Sequence, residues 1–147
     1  MTTNIKLMVV FGKMAHALQE NLSKNLEELG MPFSLYPILA YLNEVERAKT
    51  QKLGEVAVIS SGTITHTVNK LLKSHDVEKI QDEQDKRIFW IQITKEGKKR
   101  FEAVHSKHME YLDELLKEFT EEDKVALIEL MKLFGKGIIR TSELKGD

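Results

Sequence analysis

Between residues 61 and 73 the apolar side chains Ile64, Val68, Leu71 and Leu72 recur at helical spacing. The opposite side of that helix carries Ser61, Thr63, Thr65, His66, Asn69, Lys70 and Lys73, with Gly62 among them and no carboxylate. Hydroxyl, amide and imidazole groups can meet base edges or phosphates, and a helix of this width fits the major groove of a duplex. The free N–H groups around Ser60–Thr63 offer a further place for a phosphate. Downstream, Asp82-Glu83-Gln84-Asp85-Lys86-Arg87 is wholly polar and lies between two β-rich runs. Arg87 at such a tip can enter a narrow, electronegative minor groove. Lys86 suits a phosphate, and Asp85 is placed to hold Arg87 or a nearby backbone N–H.

The elements that position these groups can be read outward from them. Leu7, Phe11, Met14, Leu18, Leu22, Leu26 and Leu29 predict a long helix over 7–29, with Gly30 as its left-handed cap and Pro32 preventing continuation. Ser34 is expected to cap a second helix carrying Leu35, Ile38, Leu39 and Leu42, with Pro37 in its first turn and an end within Glu44–Lys49. Thr50 then caps a short helix over Gln51–Ala57 with Leu53 and Val56 inward. Ser60 or Ser61 caps the helix that runs to about Lys73, and Thr67 is placed on the rim of its outward face. Two short helices joined by a brief turn are a helix-turn-helix. Val77–Gln81 and Ile88–Ile93 are expected as the strands of a wing. Thr94 caps a long helix through Phe101, Val104, His108, Tyr111, Leu112, Leu115 and Leu116. Thr120 with Asp123 resembles a capping box for a last helix that bears Val125, Leu127, Ile128, Met131 and Phe134 and stops at Gly135 or Gly137.

Composition narrows the class. The 147 residues suffice for one domain with a real core. Cysteine is absent, which excludes disulfides, a Cys-ligated zinc site and thiol redox sensing. The N-terminus does not read as a signal peptide and no apolar run approaches a membrane span, so a cytoplasmic location is expected, with no membrane partner. The net charge of −1 is unevenly placed. Residues 47–100 hold 12 basic and 7 acidic side chains, net +5, between an N-terminal part of net −2 and a C-terminal part of net −4. A basic middle suits phosphate. There is no glycine-rich phosphate loop, His-Glu-x-x-His helix or Gly-x-Ser-x-Gly elbow, so neither an enzyme nor a cofactor is expected.

Phe33-Ser-Leu-Tyr-Pro-Ile-Leu, Leu53-Gly-Glu-Val, Thr63-Ile-Thr-His, Asp82-Glu-Gln-Asp85-Lys-Arg87 and Ile93-Thr94-Lys-Glu-Gly97 resemble the MarR family of bacterial transcription regulators over about residues 8–137. The wing segment followed by Thr-x-x-Gly is the most specific part. The resemblance implies a mainly α fold with a small β wing, a winged helix-turn-helix flanked by N- and C-terminal dimerisation helices. On this sequence it becomes a single MarR-like domain over 1–147, with a DNA-binding region at 34–97 and dimerisation helices at 7–29 and 98–137. It implies a homodimer on pseudo-palindromic double-stranded DNA and, in a repressor, release by a small, often aromatic, effector. It places Thr63, Thr65 and His66 at the start of the recognition helix, and Arg87 and Asp85 on the wing arginine and aspartate. The sequence departs from the family where His66 replaces a frequent arginine, where His75-Asp76 replaces a common Gly-Leu, and where Ile80 replaces a frequent basic residue.

Met14, His16, Met31, Tyr36 and Tyr41 are candidate effector contacts, because adaptable and aromatic side chains suit a cleft as well as a core. Glu102, His105 and His108 share one helix face at three-residue spacing. They are weak candidates for a metal, and a zinc-responsive regulator is one alternative reading. A winged-helix interaction module without DNA binding is the other.

Overall fold

The computed structural model describes residues 1–57 and 61–143; of residues 61 and 141–143 it describes the backbone only. Among the described residues, six helices and three strands follow in the order α1 (Thr3–Glu28), α2 (Tyr36–Val45), β1 (Arg47–Ala48), α3 (Thr50–Ala57), α4 (Ser61–Lys73), β2 (Val77–Gln81), β3 (Phe89–Ile93), α5 (Lys95–Leu115) and α6 (Glu121–Glu143). The chain divides into two compact units, Met1–Met109 and Glu110–Asp147. No described helix is long and apolar enough to cross a membrane.

The core of the first unit joins Leu26 and Met31, the α2 residues Ile38, Leu39 and Leu42, Leu53 of α3, and Ile64, Val68 and Leu71 of α4. Ile91 and Ile93 of β3 and Phe101 and Val104 of α5 complete it. The expected inward stripe of α4 is therefore the observed one, with Leu72 only partly buried against it. Thr67 differs from expectation: it is buried, and its hydroxyl donates to the Thr63 carbonyl one turn back at 3.0 Å. That local bond satisfies the hydroxyl and lets the rest of the side chain join the core.

The sheet order is β1-β3-β2, antiparallel throughout. Pairing of Val77 with Ile93 and of Gln81 with Phe89 makes β2 and β3 a wing hairpin, as expected, while β3 begins one residue after Ile88. Ile88 belongs to the turn instead, its N–H donating to the Asp85 carbonyl at 2.9 Å. β1 was not anticipated, since two residues are too few to show a period.

Several helix ends also differ, α3 beginning at Thr50 itself and not after it. The Thr2 side chain accepts from the Ile5 N–H at 3.4 Å and starts α1 at Thr3, four residues before its apolar repeat begins. Ser34 does not cap α2. The cap position is Leu35, without a side-chain hydrogen bond, and Pro37 sits in the first turn, where its missing N–H leaves no helical bond unmade. α6 continues through Gly135 and Gly137, neither of which adopts the positive φ that a helix stop would use. The Thr120–Asp123 capping box is present, with reciprocal bonds of 3.1 Å. The expected caps at Ser60 and Ser61 lie outside the described side chains.

Candidate nucleic-acid interface

α4 is an amphipathic helix whose buried stripe fixes what it shows to solvent. Thr63, Thr65, His66, Asn69, Lys70 and Lys73 are all exposed, and Lys70 and Lys73 stand in its last turn, where cations suit the negative end of the helix dipole. The side chain of Ser61 lies outside the described residues. α4 ends in a Schellman turn: the His75 N–H donates to the Leu72 carbonyl at 3.2 Å and the Asp76 N–H to the Leu71 carbonyl at 3.1 Å. His75 takes the left-handed position, φ 61°, that glycine fills more easily.

The wing loop is organised by two aspartates. Asp82 accepts the backbone N–H groups of Asp85 and Gln84, each at 2.9 Å, and the Trp90 indole N–H at 2.9 Å. These donors, Asp85 foremost, hold its carboxyl below the usual range. Asp85 accepts the Arg87 guanidinium through both oxygens, at 3.1 and 3.0 Å, and the Arg87 backbone N–H at 3.0 Å. The pairing lowers the Asp85 pKa and raises that of Arg87. Arg87 stays highly exposed while tethered, and Lys86 is exposed beside it. The arrangement can bind a polyanion through one carboxylate-free helix and one arginine-tipped hairpin. A winged-helix DNA-binding domain model matches residues 36–116.

Known proteins extend that match over nearly the whole chain. The AbsC regulator of Streptomyces coelicolor, of the MarR family, superposes with a TM-score of 0.84 at 20% identity, covering 94% of this chain and 96% of AbsC. Sco3205 of the same organism, a MarR-family regulator solved in complex with DNA, gives 0.83 at 25% identity, covering 93% and 89%. The uncharacterised regulator YwoH of Bacillus subtilis is 27% identical over 131 residues, 89% of this chain and 95% of YwoH. The chain belongs to the MarR family of winged helix-turn-helix regulators. It is a DNA-binding transcription regulator, and its kinship gives it a regulatory, non-catalytic role.

Against the MarR pattern, the His75-Asp76 departure has a structural answer. Asp76 is buried, yet its carboxylate takes the Arg100 guanidinium of α5 and the Ser74 hydroxyl, the latter at 2.6 Å. Arg100 also donates to the Gly30 carbonyl at 2.7 Å, beyond the end of α1. The Thr-x-x-Gly segment is explained as well. Thr94 accepts the Gly97 N–H at 2.9 Å, and its hydroxyl lies 2.7 and 3.1 Å from the carbonyls of His75 and Asp76. A Cβ on Gly97 would stand 2.0 Å from the Asp76 carbonyl oxygen, so only glycine lets α5 approach this closely.

Of the candidate effector residues, Met31, Tyr36 and Tyr41 share the core cluster, while Met14 and His16 are outside it. Met14 and His16 are exposed on α1, Met31 is fully buried in the core, and Tyr36 and Tyr41 are half-buried against it. A depression along α1, lined by His16, Gln19, Glu20, Ser23, Lys24 and Glu27, shares only His16 with that set. Tyr36 instead contacts the candidate metal ligands. Its hydroxyl lies 2.7 Å from His105 Nδ1, while His108 Nδ1 lies 2.7 Å from Asn25 Oδ1. Both Nδ1 atoms thus have protein partners, Glu102 is exposed, and among the described residues no three acidic or histidine side chains converge as a metal site. Burial, then the neighbouring His105, pushes the His108 pKa down, and burial raises that of Tyr36.

Sequence reasoning missed cations beside the wing. Arg47 and Lys49 lie over the Trp90 ring, 5.0 and 5.5 Å from its centroid, and Lys79 lies 4.5 Å from that of Phe89. Only the register of β1 on β3 reveals the first pair, because in the sequence they read as the charged tail of α2.

Proposed function

We propose that this regulator binds double-stranded DNA sequence-specifically as a homodimer on a pseudo-palindromic site, acting as a repressor that a small aromatic effector releases. The observation that carries the reading is the carboxylate-free outer face of α4 beside a wing whose Arg87 is exposed and oriented by Asp85. In this reading Ser61, Thr63, Thr65, His66 and Asn69 face base edges and the nearest phosphates. Lys70, Lys73 and Lys86 take phosphates, and Arg87 enters the minor groove. Sco3205, solved on DNA, supports the assignment by similarity. Residues 34–97 make up the DNA-binding region, and 7–29 and 98–137 join the two copies. Exposed apolar side chains along α1 and α6 support that division. Release by an effector rests on the family resemblance, with Tyr36 the candidate whose hydroxyl already has a polar partner.

The test begins with enrichment of random duplexes on the purified chain, which should return a two-fold-related motif. On that operator at fixed salt, Arg87→Ala should weaken binding at least tenfold while the fold is retained. His66→Ala should narrow the gap between operator and unrelated DNA by about 1–3 kcal/mol if the imidazole reads a base. Unchanged operator affinity in both variants would reject the helix-and-wing footprint.

A further inference from the structure

β1 joins the two halves of the DNA-binding region. It is hydrogen-bonded to the wing strand β3, and Lys49 leads directly into α3, which packs on the recognition helix. The register places Arg47 opposite Gln92, on the sheet face that also carries Trp90 and is turned away from Ile91 and Ile93. On that face the Trp90 ring is fixed by its bond to Asp82, and Arg47 and Lys49 rest over it.

The carboxylates nearby have closer partners, although Asp82 still feels the charge of Arg47 and Asp85 that of Lys49. Asp82 takes three donors, Asp85 holds Arg87, and Glu46 pairs with Lys98 at 3.2 Å. Glu78 shares the sheet face but lies on β2, opposite the far side of Gln92, about 10 Å from Arg47 at ordinary strand spacing. Among the described residues neither Arg47 nor Lys49 forms an ion pair.

We propose that Arg47 and Lys49, held over Trp90, form a second phosphate-binding edge that grips the DNA backbone beside the groove reached by Arg87. The inference rests on the DNA-binding reading and extends its footprint to residues outside the helix-turn-helix and the wing tip. A duplex that takes Arg87 into its minor groove presents phosphates along both edges of that groove, and the bond from Trp90 to Asp82 sets the two cations at the base of the same wing. An exposed cation–π contact is weak. A charge-assisted bond to phosphate is stronger. The ring therefore limits where the two cations can go without withholding them from the DNA. Such contacts carry no base information, so they add affinity alike to operator and unrelated duplexes.

Trp90 is the only tryptophan in the chain, so its fluorescence reports on this edge and on the wing loop bonded to it. Adding duplex should change Trp90 emission, and at saturation the Arg47→Gln/Lys49→Gln double variant should show little of that change. Each phosphate contact contributes about 0.9 to the slope of log affinity against log salt. The double variant should therefore lose about 2 from that slope on operator and unrelated DNA alike, with the ratio between them unchanged. Both side chains are exposed, and a melting curve matching wild type establishes that the fold survives. If the variant keeps the wild-type slope while Arg87→Ala weakens binding, this edge is refuted and the helix-and-wing reading stands. A variant that loses discrimination between the duplexes also overturns the proposal, because the two cations would then be reading bases. If the wild-type chain binds no duplex, both readings fall.

Discussion

His75 takes the left-handed backbone position at the end of the recognition helix, and a glycine there would be less strained. The Schellman bonds around it are nonetheless complete, so the turn keeps its geometry. A second histidine has a clearer solution signature. His108 is buried beside Tyr36 and His105 and donates from Nδ1 to Asn25 Oδ1, and its pKa lies below the ordinary 6.5. Well above 6.5 both the folded and the unfolded forms are neutral and the stability is fully present. As pH falls below 6.5, the unfolded chain takes up the proton first, and stability declines until the folded form titrates too. Thermal melts should thus show a drop between pH 7.5 and 5.5 that is shallower in His108→Gln. Parallel curves for the two proteins would contradict this account.

At the scale of elements, one polar strut links three of them. Arg100 of α5 holds Asp76 at the start of the wing and the Gly30 carbonyl just past α1, while Thr94 and Gly97 bring the start of α5 onto the same turn. The family's common leucine at position 76 would fill this place with apolar volume. Here a buried carboxylate fills it and needs its partner. Arg100→Met should destabilise the fold by about 2 kcal/mol, since Arg100 is itself a third exposed and the Ser74 hydroxyl remains on Asp76. Adding Asp76→Leu should recover most of that loss, because an apolar pair of similar volume can replace a buried ion pair. Chemical denaturation of the two variants decides the matter: a double variant no more stable than Arg100→Met would show that the carboxylate is not the cause.

At the scale of the whole molecule, the apolar surface is the informative feature. α1 exposes Ile5, Leu7, Met8, Val9, Val10, Met14 and Leu18, and α6 by itself exposes Leu130 at 63% and Leu133 at 70%. Exposed apolar faces of this extent mark association, and a two-fold dimer would present two DNA-binding surfaces to two half-sites. Sedimentation should give twice the chain mass of 16.9 kDa. Leu130→Glu/Leu133→Glu should shift the protein toward the single-chain mass and weaken operator binding. A wild-type protein that sediments as one chain at micromolar concentration would refute the dimer.

The sequence by itself determined which segments are helices, that a hairpin spans 77–93, and which α4 residues stay outside, Thr67 excepted. Those follow from local periodicity, and Ile64, Val68 and Leu71 allow α4 only one inward face. It also contained Thr120–Asp123 and Thr94–Gly97 as caps, because their bonds close within three residues. What spacing could not show are contacts made across the fold. The pairing of Asp76 with Arg100, the Cβ-free approach of Gly97 and the seat of Arg47 and Lys49 on Trp90 join residues 21 to 43 positions apart. Gly135 and Gly137 teach the same lesson in reverse. A glycine permits a helix to stop but does not compel it, and α6 runs on where the local signal allowed an end.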